Sequence, residues 1–245
     1  MKKFLLITNT KKIHKKFAIF LCAVFGLLIS HYTFAAFTNG QAASDLIGQS
    51  VGNDGLVPDY TTNNVNDGGA TFGLNGPEAG LAVDTVNHRL FVSDNDNNRV
   101  LVYNLSTSDD LIDRIPDFVL GKTNFTSISQ PASATQSVTK EPLGLAFDSA
   151  GNRLFVVDGF HRVLVFDTTT IVNGENAVNV LGQPNFTSSS ALLSSTGMDT
   201  PYGAAYDSAT QRLFVSQSGG NSVFVYDVAS ITNGEPSTAI LGQTA

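Results

Sequence analysis

Four short apolar segments recur three times along this 245-residue chain. Similar turn residues separate them each time, and no apolar pattern at helical spacing is sustained after residue 36. Together these predict an all-β fold. The predicted architecture is a β-propeller of three four-stranded blades forming an open, incomplete ring, plus one orphan N-terminal strand.

The chain opens with Lys2, Lys3, Lys11, Lys12, Lys15 and Lys16, and its first acid is Asp45. Residues 17–30 form an apolar run of 14, short for a membrane span of about 20. Small residues at Thr33 and Ala35 suit cleavage after Ala35. Residues 1–35 therefore read as a signal peptide, with an extracytoplasmic mature protein expected. Membrane attachment is expected only if this segment stays uncleaved. Cys22, the only cysteine, lies inside it, so the mature chain must reach stability without disulfides.

Residues 36–79 hold the orphan strand and a long polar loop. Asp45-Leu-Ile-Gly-Gln49 matches Ala239-Ile-Leu-Gly-Gln243 near the other end. From Gly48 to Gly80 the connection spans 32 positions, against 23 from Gly121 to Gly144 and 21 from Gly182 to Gly203. Its extra residues are rich in Asp, Asn and Gly.

The blades are expected at about 80–143, 144–202 and 203–245. In each, strand A carries Gly80-Leu-Ala-Val-Asp84, Gly144-Leu-Ala-Phe-Asp148 or Gly203-Ala-Ala-Tyr-Asp207. Strand B follows Arg89, Arg153 or Arg212. Strand C carries Val100-Leu-Val-Tyr103, Val163-Leu-Val-Phe166 or Val223-Phe-Val-Tyr226, and strand D ends in Leu-Gly at 120–121, 181–182 or 241–242. Apolar residues sit at consecutive positions, as a sheet buried on both faces requires.

These units resemble NHL repeats, a β-propeller family. The stretch Leu90-Phe-Val-Ser-Asp-Asn-Asp-Asn-Asn-Arg-Val-Leu-Val-Tyr103 is similar to the family pattern of strand, Asp, short turn, Asn-Asn-Arg and strand. Glu141-Pro-Leu-Gly144 and Thr200-Pro-Tyr-Gly203 resemble its Pro-x-Gly lead into strand A. Leu181-Gly-Gln-Pro-Asn-Phe186 is similar to a signature of long-repeat members. The third unit departs from the pattern with Gln217 for the Asp and Ser222 for the Arg. The resemblance implies an exported, bacterial-type propeller serving as a non-catalytic binding module. The alternative it implies is a metal-dependent lyase or lactonase whose site is incomplete in this chain.

Charge narrows the partners. Beyond residue 35 there are 8 Lys+Arg against 21 Asp+Glu, a net charge of −13. Such a body repels phosphate backbones, so nucleic acid is not an expected partner. Asp94-Asn-Asp-Asn-Asn98 begins like a calcium loop, but Arg99 stands where glycine would have to be, and turn chemistry is the better reading. His88 and His161 sit where sister repeats use Asn or Gln. The mature chain has no third His, so they offer no His₃ metal site. No catalytic residue, metal site or cofactor is assigned. Recurring Asp and Arg residues are expected to be structural, because a functional site should break the repeat. The candidate ligand-binding residues are therefore Asp59, Tyr60, Asn64, Asp67, Asp96 and His161, on the face carrying the D–A and B–C loops. The expected ligand is a protein, peptide or glycan. Three blades are too few to close a ring, since closed propellers have about four to eight. A carboxy-terminal truncation of a longer chain is the expectation.

Overall fold

The computed structural model describes residues 39–53, 55–66, 72–78 and 80–243. The expected signal peptide and Asp67 lie outside the described residues. Two compact units divide the chain, at 1–43 and 44–245, and the fold is that of the second.

Among the described residues, twelve strands form three antiparallel sheets, each in chain order. The first sheet holds β1 (Leu81–Asp84), β2 (Arg89–Asp94), β3 (Arg99–Asn104) and β4 (Phe118–Leu120). The second holds β5 (Leu145–Asp148), β6 (Arg153–Asp158), β7 (Arg162–Asp167) and β8 (Asn179–Leu181). The third holds β9 (Pro201–Asp207), β10 (Arg212–Gln217), β11 (Ser222–Asp227) and β12 (Ala239–Leu241). Register repeats with the sequence. Ala82 pairs with Phe91, Ala146 with Phe155 and Ala205 with Phe214. The third sheet adds one irregularity, a register shift between Val215 and Gln217.

The sheets stack face to face as propeller blades in an open arc. One core joins the first and second blades, through Phe91, Val100 and Val102 on one side and Leu154, Val156, Leu164 and Phe166 on the other. A second core joins the second and third, through Phe155, Val163 and Val165 against Leu213, Val215, Phe224 and Tyr226. Central strands are thus buried on both faces, which is why their sequences do not alternate. Leu90 is only partly buried, because it lies on the outward face of the first blade. That face also exposes Leu81 and Val83, while the outward strand β12 exposes Ile240 and Leu241.

Residues 45–49 do not form the expected orphan strand; the nearby pairing is a single bridge between Ser50 and Pro58. A D strand ladders onto a C strand of its own blade, and no described C strand precedes it. The segment nevertheless keeps the place of a D strand. Ile47 packs on the first blade's outward face with Leu74 and Phe125. Arg114 in the first C–D loop grips Asp45 at 2.7 Å. Gly48, Gly121 and Gly182 all have positive φ, and a Cβ on each would strike the Leu74, Thr139 or Met198 side chain.

Polar ties repeat between blades as faithfully as apolar ones. Arg89 donates to the Thr168 carbonyl at 2.5 Å, and Arg153 to the Val228 carbonyl at 2.7 Å. The Asn173 side chain accepts the Val119 N–H and Asn233 accepts that of Val180, each at 3.0 Å. In the same loops Glu175 and Glu235 each accept one backbone N–H, leaving a buried Oε1 without a partner among the described residues. Burial pushes the Glu175 carboxyl up to about 6, with Asp167 adding to the shift. Its folded value stands above its ordinary one. Its stabilising contribution is therefore present below about pH 4.5 and lost as pH rises through about 6. Glu175→Gln keeps the acceptor and removes the titration. In thermal unfolding, the variant should gain on the wild type between about pH 4.5 and 7. A constant difference across that range would contradict the assignment.

Candidate functional site: the loop-bearing face

The face formed by the B–C turns and D–A loops is organised by two buried ion pairs. Arg99 reaches Asp94 at 2.6 Å and Arg162 reaches Asp158 at 3.0 Å, all four side chains fully buried. Each Arg spends its other N–H groups on two successive D–A loops. Arg99 donates to the carbonyls of Gly73, in the loop before its blade, and Phe125, in the loop after it. Arg162 does the same with Val138 and Phe186. A guanidinium suits this role because its planar fork offers five donors in fixed directions. Burial pushes both carboxyls up, Asp158 to about 6, against the pull of the paired Arg. The Asp94 carboxylate also accepts from Asn97 and from the Asn75 N–H. Its lone pairs are thereby committed to the turn, and the calcium-like spacing is turn chemistry.

The histidines have a backbone explanation. His88, Asn152 and Gln211 end the three A–B turns at φ between 50° and 55°, and Asn98, His161 and Asn221 end the B–C turns at φ between 46° and 58°. This left-handed conformation favours Asn and His among non-glycine residues. His161 also acts across the blade seam, its Nδ1 accepting the Thr200 N–H at 3.0 Å. Asn98 accepts the Glu141 N–H in the same way at 3.1 Å. Both recipients precede a proline at positive φ, so the side chain steadies a strained lead into strand A.

The remaining candidates fall into two groups. Gln49 binds Asn64 twice through the backbone, and Asp59 N–H donates back to the Gln49 carbonyl at 3.3 Å. Asp59 is half-buried and bonded to Thr61 through hydroxyl and N–H, which holds its carboxyl below the ordinary value. Tyr60 beside it is 55% exposed. Asn66 bonds Asn97, joining this loop to the first B–C turn, and Asp96 in that turn donates its N–H to the Asn75 carbonyl. Asp59, Tyr60, Asn64 and Asp96 thus belong to one connected surface. His161 stands one blade further on, committed to Thr200. Sequence reading missed the loop clamps, since the carbonyls that Arg99 and Arg162 bind carry no side-chain signal.

Asn124 and Asn185, at one repeat position after strand D, each build a turn. Each side-chain oxygen accepts from the N–H and hydroxyl of the Thr two residues on and the Ser three residues on. At the channel, the A strands line a cavity of about 230 Å³ with Leu81, Val83, Ala146, Phe147, Ala205 and Tyr206 among its walls. Among the described residues no cluster of three His, Cys, Asp or Glu side chains converges as metal ligands would.

No protein-family model matches the chain, and no curated protein matches it. Solved propeller structures are similar to it. The structure of U3-55K is 15% identical over 66% of this chain and 38% of its own, with a TM-score of 0.42. The WD40 repeats of RRP9 are 16% identical over 66% and 38%, with a TM-score of 0.40. A nidogen/laminin complex chain is 15% identical over 66% and 45%, with a TM-score of 0.37. The chain spans less than half the length of each.

Proposed function

We propose that this chain is an exported, non-catalytic binding module of NHL-like character that presents its loop-bearing face to a protein, peptide or glycan. The observation that carries the reading is how the recurring charges are used. Asp94, Arg99, Asp158 and Arg162 are consumed inside the turns, and Arg89 and Arg153 tie blade to blade. Variation is left to the loop that departs from the repeat, where Asp59, Tyr60 and Asn64 lie at the surface. The apolar channel wall weighs against a metal-dependent lyase or lactonase, which needs polar ligands from several blades.

The test compares the wild type with the triple variant Asp59→Ala/Tyr60→Ala/Asn64→Ala as bait against the envelope and secreted fractions of the source organism. The wild type should retain a saturable partner, and the variant should lose about tenfold or more in apparent affinity at an unchanged unfolding midpoint. Equal retention by both would move the binding surface elsewhere.

A further inference from the structure

The two D–A loops that run between described blades follow one plan and differ in what they enclose. In the first, Lys122 donates to the Ser129 carbonyl at 2.5 Å. In the second, Gln183 takes the same place. Its Nε2 donates to the Ser190 carbonyl at 2.9 Å and to the His161 carbonyl at 3.0 Å. The second loop spans 21 positions against 23, and Ser189 and Gly197 stand where the first has the half-buried Ile128 and Val138. Beside it lies a cleft of about 470 Å³, walled by Gln183, Pro184, Ser190, Leu192 and Gly197 of the loop and by Gly234 of the third blade's C–D loop.

Gln183 is only 3% exposed, and its two carbonyl partners fix which end of the amide is nitrogen. Its Oε1 accepts no hydrogen bond among the described residues. That oxygen is not one of the sealed polar atoms, so it opens on the cleft that its residue lines. The matching amide of Gln49 spends its oxygen on the Asn64 N–H and the Thr62 hydroxyl. No charged side chain lines the cleft, so nothing there selects an ion. Its volume falls within the range of about 300–1,000 Å³ usual for small-molecule sites. We infer that this cleft binds a neutral sugar residue of a glycan. A sugar hydroxyl donates to Gln183 Oε1, and the Ser190 hydroxyl, unpartnered among the described residues, donates to a sugar oxygen. Pro184 and Leu192 take the apolar C–H face of the ring, and Gly197 and Gly234 let it come close to the backbone. The inference rests on the reading of the chain as a binding module and narrows its ligand. It uses none of Asp59, Tyr60 and Asn64, so the two sites succeed or fail separately.

The probes are maltotriose, cellotriose and triacetylchitotriose, each titrated into the isotope-labelled full chain and followed by amide NMR shifts. A neutral Ser-Gly-Ala-Ser peptide, blocked at both ends, is titrated alongside. At least one saccharide should saturate below about 10 mM, with its shifts centred on residues 182–197 and Gly234. Gln183→Lys restores the tie made by Lys122 and removes the acceptor, and it should weaken binding about tenfold or more. Ser190→Phe places a bulky ring at an exposed position on the cleft wall and should block binding to a similar degree. Because Ser190 is exposed, this second variant stands even where Gln183→Lys fails to fold. No saccharide saturating by about 10 mM, shifts centred elsewhere, undiminished binding by the folded variants, or saturation by the peptide alone would each overturn the inference. Loss of a partner on substituting Asp59, Tyr60 and Asn64, with no saccharide bound, would overturn it while leaving the module reading in place.

Discussion

Arg162→Ala should destabilise the chain by about 3–5 kcal/mol, measured by chemical denaturation. The substitution leaves the buried Asp158 carboxylate without its counter-charge and strips the Val138 and Phe186 carbonyls of their donor. The third blade shows how the same place is filled without charge. Gln217 donates to Ser222 at 3.3 Å and accepts the Asp199 N–H at 3.0 Å. The double variant Asp158→Gln/Arg162→Ser should therefore be more stable than Arg162→Ala alone. A single Arg162→Ala variant within about 1 kcal/mol of wild type would show that the loops are held by other means.

The second large effect is expected at Gly144. A Cβ there would meet the Ala204 nitrogen at 2.6 Å and the Tyr202 carbonyl oxygen at 2.7 Å, both backbone atoms of the next blade. Gly144→Ala should cost about 3 kcal/mol, since the third blade cannot approach and the Gly144 N–H bond to Tyr202 is strained. Gly203 occupies the same repeat position, yet its Cβ would meet only the Ser216 hydroxyl, at 3.1 Å. Gly203→Ala should cost under about 1 kcal/mol. Equal costs at the two positions would contradict close blade approach as the reason for this glycine.

That contrast also shows what the sequence made legible. Strand identity, order and register followed from composition and repetition, because every blade solves one burial problem in the same way. The polar repeats were legible as structural, but their reach was not. Arg89 and Arg153 are aligned beside strand B, and nothing in their spacing says that they bind carbonyls in the following blade. Residues 45–49 carry a D-strand sequence, and a strand exists only where a neighbour completes its ladder. Positive φ at His88 and His161 explains residues that looked like candidates for chemistry.

The central claim is that recurring charged residues hold the loops, leaving binding to whatever departs from the repeat. Native-state hydrogen exchange on wild type and Arg162→Lys tests it most directly. Lys keeps the charge but cannot span Asp158, Val138 and Phe186 together. The account predicts faster exchange in both adjoining D–A loops, 121–143 and 182–202, with the loop at 55–66 unchanged. Exchange that accelerates in only one of the two loops, or equally across all three, would contradict it.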